Sequence, residues 1–231
     1  MCGIGTGDLM ISGLLSLWEY EDNVNDSIGA NNLTVSGTAS YAAAVGNVGK
    51  GFSFNGSTDM TKTSPSSLAP TDTITVGIVC KIAATAAAAY LVDRAGATEG
   101  FLIGITVTNS FPIVTLNGGV VSATGASAID DGNLQFVMMT YDKNAGGTTE
   151  LKLYINNAQV ATGDYSIAID YAPDPNLNIG GLGGSSRLPN GSVIYQVAIW
   201  NRVLTDVERA TWYGGGNGYS FLGQSNFLQM F

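Results

Sequence analysis

From residue 72 to 82 the chain reads DTITVGIVCKI, which places Ile74, Val76, Ile78, Cys80 and Ile82 on one face of an extended strand. The runs LQFVMMTY (134–141), ELKLYI (150–155) and SVIYQVAIW (192–200) are likewise rich in β-branched and aromatic residues. Between such runs lie short turn signals: SIGANN (27–32), FNGSTD (54–59), LNGG (116–119), DDGN (130–133) and GGLGGSS (180–186). Strands at this spacing, with no long helical pattern between them, predict an antiparallel β-sandwich and argue against a parallel α/β sheet. In LYINNAQV (153–160) the Asn156-Asn157 pair suits the two positive φ angles of a type I′ hairpin turn. One short helix is expected in TDVERATWYGGG (205–216), where Thr205 and Glu208 have capping-box spacing and Gly214 stands at the C-cap. The alanine-rich stretch AATAAAAYLV (83–92) is open to three readings: a loop, a helical turn or the start of a strand.

Composition narrows the functions. In 231 residues, 45% hydrophobic, there is apolar material for one large all-β domain. Only 12% of residues are charged and 31 are glycine, so the polar surface is built from Ser, Thr, Asn and Gly. A net charge of −9 with no Lys/Arg cluster repels phosphate backbones, and no nucleic-acid partner is expected. The absence of histidine removes His-based triads, His zinc sites and the usual near-neutral general base. Cys80 reads as a core thiol rather than half of a disulfide with Cys2. The N-terminus MCGIGTGDLMISGLLSLW has no cationic start and too short an apolar run for a secretory signal or a membrane span, so synthesis in a cytoplasm without a signal peptide and no membrane partner are expected.

Candidate chemistry is sparse. In WEYEDN (18–23), read as strand, Glu19 and Glu21 share a face at roughly 7 Å along the backbone. Paired carboxylates about 5 Å apart are what a retaining glycosidase uses. Asp22, Asp26 and Asn31 offer hard oxygen ligands of the kind calcium takes, although Asx residues in Gly-rich turns commonly cap their own backbone. Asp93, Arg94 and Glu99 sit at a strand connection, with ligand contacts as one reading and a rim salt bridge as the plainer one. Trp200 and Trp212 are expected in core packing or helix docking. GGLGGSS lacks the strand–helix context of a nucleotide loop. The end FLGQSNFLQMF carries Phe227, Leu228, Met230 and Phe231, apolar residues that ask for a covering surface and are expected assembly contacts with another chain.

The stretch NGSVIYQVAIWNRVLTDVERATWYGGG (190–216) resembles the closing strand and helix of laminin G-like domains of the concanavalin A-like lectin/glucanase superfamily. LLSLWEYEDNVNDSIGANNLTVSG (14–37), GKGFSFNGS (49–57), DTITVGIVCKI and LQFVMMTYDKNAGGTTELKLYINNAQVATG (134–163) resemble its opening strand and loop, its Gly-x-x-x-Phe-x-Gly strand, its first core strand and its central hairpin, in order. The resemblance implies an all-β, antiparallel jelly-roll sandwich with one short helix near the C-terminus. It divides the chain into an N-terminal arm (1–13), the domain (14–217) and an apolar tail (218–231).

The departures from the family pattern bear on function. Val79 and Leu134 stand where tryptophans are common, and Tyr195 and Gln196 replace an acidic pair, so no calcium or polar role carries over from that pair. The family's hydrolases use a Glu-x-Asp-x-x-Glu pattern, which Glu19, Glu21 and Val24 do not complete. WEYEDN then reads as a solvated strand face with Trp18 and Tyr20 inward. No catalytic or metal-ligating residue is assigned and no cofactor is expected, with calcium, which relatives sometimes hold in such loops, as the alternative. The expectation is a non-enzymatic structural or adhesion module with glycan binding implied by the resemblance. With apolar ends, a start at Met1 and no leader, it is expected as a phage virion component, a capsid decoration or fibre protein. Its partners would be virion proteins, copies of itself or cell-surface glycans. A free carbohydrate-binding lectin is the alternative, and a glycoside hydrolase a further one.

Overall fold

The computed structural model describes residues 10–96, 98–182 and 184–221. Among these residues, two antiparallel sheets face each other; strands are numbered in chain order. The first sheet runs β13 (Ala158–Gly163), β12 (Leu151–Ile155), β11 (Leu134–Asp142), β6 (Thr73–Lys81), β15 (Val193–Trp200), β4 (Gly51–Ser53) and β3 (Tyr41–Ala42), with β1 (Leu14–Trp18) on the other end of β15. The second runs β10 (Val121–Thr124), β9 (Pro112–Leu116), β8 (Gly100–Ile105), β7 (Ala89–Ala95), β14 (Leu177–Ile179), β5 (Asp59–Lys62) and β2 (Thr34–Ser36). Asn156 and Asn157 take φ of 51° and 66° between β12 and β13, as the type I′ reading requires. Of the readings open for residues 83–92, the strand wins from Ala89 onward.

Ile74, Val76, Ile78, Cys80 and Ile82 are fully buried between the sheets, on the face that alternation assigned to them. Their neighbour Val79 faces the other way and is buried as well, in a second cluster with Phe136, Met138, Tyr154, Ala198 and Trp200. That outer cluster is roofed by the helix α1 (Asp206–Tyr213) and by Met10, Leu204 and Phe221. The helix starts where its cap dictates: Thr205 Oγ1 accepts from Glu208 N at 3.3 Å, and Thr205 N donates to Glu208 Oε2 at 2.7 Å. It stops at Gly214, whose φ of 56° suits glycine. Trp212 crosses β6 at Gly77, where a Cβ would come within 3.0 Å of the indole, and its Nε1 donates to Gln196 Oε1 at 3.0 Å. Gln196, where the family pattern has an acid, is the buried acceptor that fixes the helix to the sheet.

Two expectations change. The strand β1 ends at Trp18, and Tyr20 and Asp22 take φ of 55° and 62°, so Glu19 and Glu21 do not share a strand face. Trp18 and Tyr20 do point into the core, but Glu19 is only 8% exposed rather than solvated. Met10 and Phe221 are buried in the outer cluster. The tail contacts expected of Phe227, Leu228, Met230 and Phe231, and the state of Cys2, lie outside the described residues.

Candidate functional site

The outer faces of the two sheets differ. That of the first is closed by α1 and the terminal segments, whereas the second carries a groove of about 480 Å³ lined by side chains from β7, β8 and β9 and the loops beside them. A bulge in β7 between Tyr90 and Val92 sets the pattern. Residues three apart on a regular strand face opposite ways; the extra residue of the bulge turns both Tyr90 and Asp93 outward. Tyr90 pairs with Gly104 of β8, and a Cβ on Gly104 would lie 3.0 Å from the Tyr90 ring, so the missing side chain makes room for the half-buried ring. Leu102 and Ile113 extend the apolar floor, Thr115 adds a hydroxyl, and Val107 and Leu182, 63% and 36% exposed, stand at the rim.

Asp93 is the acidic residue of this floor and is 1% exposed. Its Oδ2 accepts from Asn178 Nδ2 at 3.2 Å, and Asn178 Oδ1 accepts from Thr61 Oγ1 at 3.1 Å, a polar ladder running across β7, β14 and β5. Asp93 Oδ1 has no partner of ordinary geometry, although the Ala95 amide leans towards the carboxylate. Burial pushes its pKa up to about 6 against the pull of Asn178 and that amide.

The predicted trio around Asp93 does not assemble. Arg94 faces inward, donating to Leu68 O at 2.7 Å, pairing with Asp174 and lying 4.4 Å from the Tyr171 ring, so it is a buried strut in place of a rim ion pair. Glu99 accepts from the amide and hydroxyl of Thr98. Around the first loop, Asp26 Oδ1 accepts from the amides of Leu17, Ile28 and Gly29 at 3.0, 3.1 and 2.9 Å, and Oδ2 from Ser16 Oγ at 2.6 Å and Asn31 N at 3.1 Å. A carboxylate ringed by donors presents no lone pairs to calcium, and Asp22 is paired with Lys50, so these residues do not fit the ion. Among the described residues no cluster of three or more His, Cys, Asp or Glu could hold a metal. Desolvation raises the Glu19 pKa to about 7, with a Ser27 hydrogen bond lowering it and Glu21 raising it further. Glu21 Oε1 accepts from Lys50 N at 2.7 Å, and neither glutamate lines the groove. Trp200 Nε1 donates to Met10 O at 2.8 Å, so both tryptophans pack as expected.

A second cavity of about 460 Å³ lies near Pro112, Gly125, Gln135, Asn156 and Val160. Its amides serve each other: Asn156 Nδ2 donates to Gln135 Oε1 at 2.9 Å and Phe136 N donates to Asn156 Oδ1 at 3.0 Å. Of these two, the first has a buried carboxylate oxygen, Asp93 Oδ1, without an ordinary hydrogen bond among its lining residues. Sequence reasoning passed over Tyr90; its signal would have been the pairing with Gly104, which depends on the strand register.

The family model of the concanavalin A-like lectin/glucanases superfamily, in its laminin G-like branch, matches residues 55–208. No curated protein matches the chain. Among solved structures it is similar to botulinum neurotoxin type C, whose passage into cells is dependent upon interaction with two ganglioside molecules, at 15% identity and a TM-score of 0.66 over 93% of this chain and 53% of that one. It is similar to the binding domain of botulinum neurotoxin DC in complex with SialylT at 13% identity and a TM-score of 0.62, over 91% and 53%. Domain 4 of AbnA, a GH43 extracellular arabinanase from Geobacillus stearothermophilus, in complex with arabinotriose, is similar at 15% identity and a TM-score of 0.65, over 89% and 98%. The chain thus spans about half the length of the neurotoxin chains it matches.

Proposed function

The chain belongs to the laminin G-like branch of the concanavalin A-like lectin/glucanase superfamily, and from that premise we propose that it is a carbohydrate-binding module that holds a saccharide in the groove over its second sheet. The observation that carries this reading is the Tyr90 ring seated over Gly104 on the uncovered sheet face, with an apolar rim and a few polar groups around it. A mostly apolar concavity with few convergent polar groups is the usual form of a small-ligand site. An aromatic ring of this kind offers a flat face to the C–H side of a sugar, and Asp93 and Thr115 offer partners to its hydroxyls. The neutral glycan of one structural relative, arabinotriose, supports a saccharide as occupant.

The module binds without cleaving. Glycoside hydrolysis ordinarily needs two carboxyl groups across the scissile bond, about 5 to 9.5 Å apart, and among the described residues that line the groove Asp93 is the one carboxylate. The virion placement draws no support from the relatives, and the proposal is the glycan module alone. The test is a panel of oligosaccharides, including arabinotriose, lactose and sialyllactose, followed by titration calorimetry with Tyr90→Ala. We expect at least one saccharide to bind and Tyr90→Ala to weaken it tenfold or more with the melting temperature retained. No binding across the panel, or binding indifferent to Tyr90→Ala, overturns the reading.

A further inference from the structure

The groove's charge is one-sided. Among the described residues that line it there is no lysine or arginine. Arg94, next to Asp93 in sequence, is turned to the opposite face and committed to Asp174 and Leu68. Arg187, on the loop past Leu182, is bound to Asp59 through Nε at 3.1 Å. At the floor lies Asp93, whose Oδ2 is held by Asn178 and whose buried Oδ1 has no hydrogen bond of ordinary geometry beyond the nearby Ala95 amide. A buried acceptor left in this condition is costly unless something donates to it. Asp93 is one of the residues that line the groove, so a ligand seated there lies over its carboxylate.

We propose, building on the saccharide reading of the groove, that Asp93 is its specificity-determining residue and that the groove takes neutral, hydroxyl-rich saccharides while turning away those bearing a carboxylate. A sugar hydroxyl reaching down beside Tyr90 donates to Oδ1 and satisfies it. A sialylated chain brings a carboxylate into a site with no cation to pair it and with a like charge at the floor, and burying an unpaired charge beside another of the same sign costs more than the extra contacts return. The same negative floor explains why the site can discriminate with so few polar groups: a site built around a hydrogen-bonding partner rejects ligands that cannot supply it far better than an apolar pocket rejects a change of size.

The experiment is calorimetric titration at neutral pH with the neutral saccharides of the panel and with lactose against sialyllactose, for wild type, Asp93→Asn and Thr115→Lys. The expected result is that wild type prefers the neutral partner at least tenfold. Asp93→Asn, which turns an NH₂ donor towards the groove once its oxygen faces Asn178, should weaken neutral-sugar binding at least tenfold, about 1.4 kcal/mol. Thr115→Lys alters an outward-facing strand position, so it keeps the test valid should Asp93→Asn fold poorly; by supplying the missing cation it should narrow the preference at least tenfold. Wild type binding sialyllactose as tightly as lactose overturns this proposal while leaving the saccharide reading intact, as does a preference unmoved by either variant. Binding of no saccharide at all overturns both.

Discussion

Glu19 makes stability depend on pH in a direction opposite to the common acid-labile pattern. Its carboxyl is 8% exposed, and desolvation raises its pKa from the ordinary 4.5 to about 7, against a Ser27 hydrogen bond and with help from Glu21. The folded chain therefore holds this proton more tightly than the unfolded chain. The resulting stability is complete below about pH 4.5 and is lost as pH rises through about 7. At about 1.4 kcal/mol per pH unit, the interval is worth roughly 3 kcal/mol. For a chain of this size that corresponds to a fall of roughly 6 to 12 °C in melting temperature. Asp93, raised by burial from 3.8 to about 6, adds a similar loss in an overlapping window. Glu208 does not interfere: despite burial, its bonds to Arg202 and Thr205 hold it down at about 2, so its contribution is lost only at lower pH. Thermal unfolding followed by circular dichroism between about pH 4.5 and 8 should show wild type losing stability with rising pH. Glu19→Gln should remove about half of that loss and Glu19→Gln with Asp93→Asn nearly all of it. A Glu19→Gln protein that keeps the full wild-type slope would refute the assignment of the buried proton to Glu19.

Two further outcomes test the fold. Thr205→Ala removes the acceptor for Glu208 N and should cost about 1 kcal/mol in denaturant unfolding; an unchanged midpoint would mean the cap contributes nothing. Cys80, fully buried with its thiol pushed up to about 12 by desolvation, should resist alkylation in native protein and react only after denaturation, whereas rapid native labelling at Cys80 would contradict its place between the sheets.

What the sequence disclosed follows from how local each signal is. The alternation of Ile74 to Ile82, the Asn156-Asn157 turn and the Thr205/Glu208 box are each written within a dozen residues, and each is found where the pattern puts it. The groove was not legible because it is made by register: a bulge after Tyr90 brings Tyr90 and Asp93 to one face, and Gly104 lies opposite the ring on another strand. WEYEDN misled for the converse reason. Its alternation suggests a strand, but the left-handed backbone at Tyr20 and Asp22 breaks the period of two, and the tight loop anchored by Asp26 draws Glu19 under cover.

The most direct measurement is an amide nitrogen–proton correlation spectrum of the isotope-labelled protein, titrated with the tightest neutral saccharide of the panel. Binding in the groove predicts shift changes that concentrate on the amides of Tyr90, Asp93, Leu102, Gly104 and Thr115, all of them on or beside its floor. Changes that gather instead around Gln135, Asn156 and Val160 would place the ligand in the other cavity and contradict the central claim.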